Sequence, residues 1–233
     1  MKINPVKAFS DNYIWVIEEG KDAVIVDPGE YKDVLHYLKE NQMTLKAIIL
    51  THNHEDHIGG VKAISEKFPD TPVYGPEETA FLADHVVKDG DSFDLLGKKF
   101  QVFKTAGHTT EHVSFLMEKA LFCGDALFSA GCGRVFTGDY QAQFNALQMF
   151  KSLDEAVEVY AGHEYTQTNL RFAQSIEPAN KNISQVLDQV TNLRAHDLPS
   201  LPSTIGKEKN INLFLQADKL QDFIALRNAR DNF

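Results

Sequence analysis

Apolar positions along the first fifty residues follow two different periods. Tyr13-Ile14-Trp15-Val16-Ile17 and Ala23-Val24-Ile25-Val26 are short β-branched or aromatic runs separated by a polar stretch around Gly20. They read as a hairpin that ends at Asp27-Pro28-Gly29. From Tyr31 to Asn41 the spacing of Val34, Leu35 and Leu38 predicts a helix, and Ala47-Ile48-Ile49-Leu50 then predicts a buried strand of the kind βα units supply. Between Ser92 and Cys123 strand signals return in Phe100–Phe103, Val113–Met117 and Ala120–Cys123. Phe144, Leu147, Phe150 and Leu153 predict a helix over Gln143 to Leu153, and Val157 to Ala161 reads as a last strand. Helical spacing follows in Glu164–Ser175, Asn180–Ala195 and Leu213–Arg227, with a break over Leu198–Pro202. Two batches of strands with helices between and after them predict an α/β chain of two helix-covered sheets, residues 1–175, and a small helical domain, residues 176–233.

The length of 233 residues agrees with one large unit plus a small one. No apolar run approaches the roughly 20 residues of a membrane helix, and Met1-Lys2-Ile3-Asn4-Pro5 opens no signal peptide, so a cytoplasmic home is expected. There are 23 basic and 33 acidic residues, a net charge of −10, and no Lys/Arg block marks a nucleic-acid surface. Nucleic acid and anionic membranes are therefore excluded as expected partners. A negative chain that handles anionic substrates must concentrate its few cations at the site. Cys123 and Cys132 are too few for a disulfide framework and too far apart for a CxxC pair, so buried, inert thiols in a reducing compartment are expected.

Chemistry concentrates in Thr51-His52-Asn53-His54-Glu55-Asp56-His57-Ile58-Gly59-Gly60, directly after the Ala47–Leu50 run. Imidazole with carboxylate is a ligand set for Zn²⁺, Fe²⁺ or Mn²⁺, and a loop at a strand end can turn several side chains to one point. The same placement recurs three times, because the other apolar runs lead to His108, Asp125 and His163. His52, His54, Asp56, His57, His108, Asp125 and His163 make seven donors. One zinc takes three or four protein ligands, so seven imply two metals sharing one.

THNHEDHIGG, AGHT, GDALF and GHEYT resemble the metallo-β-lactamase superfamily and, within it, glyoxalase II, the hydroxyacylglutathione hydrolases. The resemblance runs nearly the whole chain, through Asn12-Tyr13, Asp27-Pro28-Gly29, Gly131-Cys132-Gly133-Arg134-Val135-Phe136 and Pro202-Ser203-Thr204-Ile205. It implies a four-layer αβ/βα sandwich with a two-metal site at its edge. His52, His54 and His108 would hold one ion and Asp56, His57 and His163 the other, with Asp125 bridging. Paired cations lower the pKa of a shared water, so the site needs no serine or cysteine nucleophile. Asp56 has a second role open to it, orienting that nucleophile. The implied enzyme is a thioester hydrolase that releases D-lactate and glutathione from S-D-lactoylglutathione, with zinc, iron or manganese as its two ions. The expected partner is a small glutathione conjugate, and the expected state a monomer. Another hydrolase of the superfamily acting on a different thioester or a lactone, a β-lactamase, a persulfide dioxygenase and a non-catalytic metal-binding protein are the rival readings.

The resemblance also assigns the substrate side. Arg134, Phe136 and Tyr165 match substrate-contacting positions, although helix-face packing is an equal reading for Tyr165. The late Asn-Pro-Phe-(Leu or Met)-Arg pattern appears here as Asn212-Leu213-Phe214-Leu215-Gln216, which removes the arginine expected to meet a glutathione carboxylate. Arg134, Lys207, Lys209 and Lys219 are the cations that stand in for it. His112 is expected to support the site and not to ligate; His36, His85 and His196 are expected on the surface. Glu55 reads as a solvated carboxylate, and Asp27 as a structural group pinning backbone N–H groups of the loop.

Overall fold

The computed structural model describes residues 1–233. Alternation within the strands explains how two sheets come to be stacked. In β2 (Asn12–Glu19), Tyr13, Trp15 and Ile17 join a core shared with the second sheet, while Ile14 and Val16 join one covered by helices. Every residue from Asn12 to Ile17 is buried, as a strand covered on both faces requires. The first sheet has the order β1 (Lys2–Ala8), β2, β3 (Asp22–Val26), β4 (Thr44–Ile49), β5 (Val73–Gly75), β6 (His85–Val86). It is antiparallel from β1 to β3 and parallel from β3 to β6. Val34 and Leu38 of α1 (Lys32–Glu40), and Val61 and Ile64 of α3 (Val61–Lys67), cover its outer face.

The second sheet runs β12 (Ser203–Thr204), β11 (Glu158–Ala161), β10 (Ala120–Gly124), β9 (Val113–Met117), β8 (Lys98–Lys104), β7 (Ser92–Leu95). Phe100, Phe115 and Phe122 fill the space around it, with Ala146, Leu147 and Phe150 of α4 (Tyr140–Ser152) packed in the same cluster. The sandwich is the expected αβ/βα arrangement. Trp15 Nε1 donates to Ala161 O at 2.9 Å, and Tyr13 N to Gly162 O at 2.9 Å, so the two sheets are hydrogen-bonded where β2 meets the end of β11.

Helices complete the C-terminal region. In a third cluster, Leu170 and Ala173 of α5 (Thr166–Ile176) pack on Ile183 and Val190 of α6 (Lys181–Ala195) and on Ile211 of α7 (Ile205–Ile211). The helix expected over Leu213–Arg227 is two helices, α8 (Leu213–Gln216) and α9 (Leu220–Asp231). Asn212 Oδ1 caps α8 by accepting from Phe214 N and Leu215 N, and Ala217 turns extended, so the chain bends there while the apolar spacing continues. Phe214, Leu215 and Phe223 join the main core. Elements outside the apolar patterns include β1, whose Pro5 is tolerated on an edge strand, the short α2 (Glu55–Ile58) within the histidine loop, α3, the short strands β5, β6 and β12, and α7. No helix is long and apolar enough to cross a membrane.

Candidate metal centre

Four strand ends deliver the seven donors to one edge of the sandwich. The loop after β4 carries His52, His54, Asp56 and His57; His108, Asp125 and His163 follow β8, β10 and β11. Ligand atoms of His52, His54 and His108 lie within 4.8 Å of one another, as do those of Asp56, His57 and His163. Asp125 stands between the groups: Oδ2 is 3.4 Å from His108 Nε2 and 3.3 Å from His163 Nε2, and Oδ1 is 3.3 Å from His57 Nε2. Such closeness requires glycine beside it, because a Cβ on Gly162 would come 2.7 Å from both Asp125 Oδ1 and His57 Cε1.

Outward-facing nitrogens of four of the five rings are hydrogen-bonded. Thr51 Oγ1 donates to Asp27 Oδ2 at 2.7 Å and so accepts from His52 Nδ1 at 2.9 Å. His57 Nδ1 donates to Asp27 Oδ2 at 3.1 Å, His108 Nδ1 to Arg134 O at 2.8 Å, and His163 Nδ1 to Asp11 Oδ1 at 2.8 Å. These bonds fix each tautomer and turn Nε2 inward, the arrangement that ligating histidines use. Buried His52 Nε2 and Asp125 Oδ1 have no hydrogen-bond partner. Buried polar atoms are seldom left so, and a divalent cation would satisfy both, so the donor set fits two metal ions.

Charges divide the two groups. Burial pushes His52 and His108 below the usual imidazole value, which keeps them neutral and able to ligate. Burial also opposes charge on His57, but Asp125 and Asp27 override it and leave His57 pushed up to about 10. For His163 the same opposition is overridden by Asp125, Asp56 and Asp11, giving about 11, so an ion held by His57 and His163 would displace a proton from each ring and take its place beside these carboxylates. Hydrogen bonding to His163 holds Asp56 well below the usual carboxylate range, and Asn12 Nδ2 donates to Asp56 Oδ2 at 2.9 Å. Burial likewise opposes ionisation of Asp125, yet His57 and His163 hold it ionised.

The supporting residues divide clearly. His112 is buried, accepts from Asp125 N at 3.2 Å and is bonded to Thr105 Oγ1 at 2.9 Å, so it positions the central carboxylate. Asp27 pins Thr51 N at 2.8 Å and additionally orients His57. Although it lies within reach of His52 and His57, its contacts are to Thr51 and to the outward nitrogen of His57. Glu55, His36, His85 and His196 are exposed. Glu78 ties two ligand loops together, accepting from Asn53 N at 3.3 Å and Thr109 Oγ1 at 2.5 Å.

A cavity of about 450 Å³ opens on the centre, with His54, Asp56, His108, Asp125 and His163 among its lining residues. Arg134, Phe136 and Tyr165 all line it. Phe136 is 62% exposed and edges onto His54 and His108, at 5.6 and 5.3 Å between ring centres. Tyr165 stacks on His163 at 4.6 Å, which makes it both a packing group and a wall of the cavity. Lys207 and Lys219 are not brought to it. Lys207 borders a separate groove beside α6, Lys219 is exposed at the start of α9, Lys209 pairs with Glu155, and Gln216 Nε2 is bonded to Lys209 O. The cavity's other cations come from Arg227 and Arg230 of α9, with Asn169 and Asp231 beside them. Arg227 and Arg230 belong to no motif in the sequence, and their i, i+3 spacing on one helix face is the signal that marks them.

A metallo-beta-lactamase superfamily model matches residues 9–163, and a model of the hydroxyacylglutathione hydrolase C-terminus matches residues 164–233. Hydroxyacylglutathione hydrolases of Haemophilus ducreyi and Glaesserella parasuis are each 50% identical to the chain over 234 residues, with all of both chains covered. Among solved structures, ETHE1 from Myxococcus xanthus superposes with a TM-score of 0.76 at 25% identity, covering 98% of this chain and 90% of its own. The BLEG-1 B3 metallo-beta-lactamase gives 0.70 at 27% identity, covering 93% and 99%. With its two sheets, its histidine and aspartate cluster and its helical C-terminal region, the chain belongs to the metallo-beta-lactamase superfamily and, within it, to the hydroxyacylglutathione hydrolases.

Proposed function

We propose that this protein hydrolyses 2-hydroxyacyl thioesters of glutathione, S-D-lactoylglutathione foremost, to the hydroxy acid and the free thiol. The observation that carries this reading is one cavity lined both by residues of the two-group metal centre and by three arginines. His52, His54 and His108 would hold one zinc ion, Asp56, His57 and His163 a second, and Asp125 would contact both. When bound, such ions activate water near neutral pH and polarise a carbonyl oxygen. The chain's own residues do the rest. Asp56, held ionised by His163 and Asn12, faces the centre with an acceptor oxygen that can orient the attacking water. Phe128, Phe136 and Tyr165 provide apolar walls that shield the acyl group from bulk water. Arg134, Arg227 and Arg230, which share the cavity with the ligands, attract the carboxylates of the glutathione portion and so hold the thioester in that cavity. The leaving thiol, with a pKa of about 8.5 for a cysteine-type sulfur, departs without a dedicated strong acid. Burial pushes both thiols up, so neither Cys123 nor Cys132 is a ready thiolate nucleophile.

Residues 176–233 belong to this reading as the substrate-binding part, in a monomer working in the reducing cytoplasm. The test is thiol release from S-D-lactoylglutathione by protein whose metal content is measured on the same sample. Turnover that follows metal occupancy and stops on chelation is expected. A fully loaded protein without thioesterase activity would refute the reading.

A further inference from the structure

The last turn of α9 places a carboxylate among the cations of the cavity wall. Asp231 Oδ1 accepts from Arg227 Nη2 at 2.9 Å and from Arg134 Nε at 3.2 Å, joining groups 97 residues apart in the latter case. The two arginines differ in freedom. Arg227 is buried, donates from Nη1 to Cys132 O at 2.8 Å and lies 5.1 Å from the centre of the Phe214 ring. Arg134 follows Gly133, its side chain is 56% exposed, and Asp231 is the only protein acceptor for that side chain. Left alone, its guanidinium would be repelled by Arg227 and Arg230 and would sample many rotamers, all to be given up when it took an anion. Holding it by Nε leaves both Nη groups free for a carboxylate.

We propose that Asp231 is a positioning residue for substrate recognition: anchored to the buried Arg227, it holds the Arg134 guanidinium at the cavity, ready for the anionic end of the substrate. The inference rests on the glutathione-thioester reading above. It opposes the alternative that Asp231 competes with a substrate carboxylate for the same arginines, which predicts a change of the opposite sign.

Asp231→Ala, Asp231→Asn, Arg134→Ala and the double variant Arg134→Ala/Asp231→Ala would be compared in metal-loaded protein. KM and kcat for S-D-lactoylglutathione are measured, with the Kd of S-methylglutathione by calorimetry as a readout independent of turnover. Each Asp231 variant is expected to raise KM and Kd about three- to fivefold with kcat within about twofold, the range of a partly exposed ion pair. In the Arg134→Ala background, loss of Asp231 should add less than about 1.5-fold, since a residue acting through Arg134 has nothing left to position. Asp231→Asn keeps the shape should the alanine variant fail to fold. A fall in KM, an unchanged Kd, or single effects that multiply in the double variant would overturn the proposal. Unaltered S-methylglutathione binding alongside normal lactoylglutathione turnover rejects the Asp231 role alone. Wild-type protein that binds S-methylglutathione but releases no thiol from the thioester rejects the hydrolase reading instead.

Discussion

Asp125 is the residue on which the two halves of the centre depend. Its oxygens lie 3.3–3.4 Å from histidine nitrogens of both groups, and one is a buried acceptor without a hydrogen-bond partner. Asp125→Ala is therefore expected to lower bound metal below two ions per chain and to cut turnover by about 10²-fold or more. Elemental analysis and thiol release on one sample check this, and full activity with two ions retained would refute the bridging role. The donors themselves were legible in the sequence because a run of histidines and aspartates after a strand has no common structural explanation. Their supports were less so. Asp11 and Thr51 look like ordinary loop residues until the fold brings Asp11 to His163 and sets Thr51 between Asp27 and His52.

At the scale of elements, α9 decides which cations face the substrate. Arg230 lines the cavity and its Nε and Nη2 donate to Asn169 Oδ1, both at 3.3 Å, whereas Gln216 ends α8 outside it. Arg230→Ala should raise KM for S-D-lactoylglutathione roughly tenfold, in the range of a hydrogen bond to a charged group, while Gln216→Arg should leave KM within about twofold. Steady-state kinetics of the pair tests the assignment; a gain in affinity from Gln216→Arg would return the anion site to α8. The family resemblance places the expected arginine at 216, where its Asn-Pro-Phe-(Leu or Met)-Arg pattern meets Asn212–Gln216, and helical spacing runs on from Leu213 to Arg227. The Asn212 cap and the extended Ala217 divide that stretch, and only the fold shows which part turns to the metals.

Across the whole molecule, the C-terminal helices are held to the sandwich by a buried carboxylate. Glu208 of α7 accepts from Ala130 N at 2.6 Å and Asn212 Nδ2 at 3.2 Å through Oε2, and from the Ser129 and Ser203 hydroxyls through Oε1. Asn212 Nδ2 also donates to Phe128 O and Gly131 O, so this network braces the loop leading to Arg134. Burial raises the Glu208 pKa despite these donors. A carboxyl raised in the folded state contributes stability present below its unfolded pKa, near 4.3, and lost as pH rises through its folded value. Glu208→Gln can satisfy both sides of the network, because hydroxyls also accept. Its stability relative to wild type should therefore be greater at pH 8 than at pH 5 in urea denaturation. A gap independent of pH would show that Glu208 is not the group being titrated. By itself the sequence determined the central strands of two sheets, most of the longer helices and all seven candidate ligands, since strand alternation, helical spacing and clustered imidazoles are local patterns. Tertiary structure alone decided which ring nitrogens turn inward and that Arg227 and Arg230 of α9 join Arg134 at the cavity. Those depend on contacts between residues far apart in the chain, and a local pattern such as the i, i+3 spacing of Arg227 and Arg230 shows which residues share a helix face but not what that face meets.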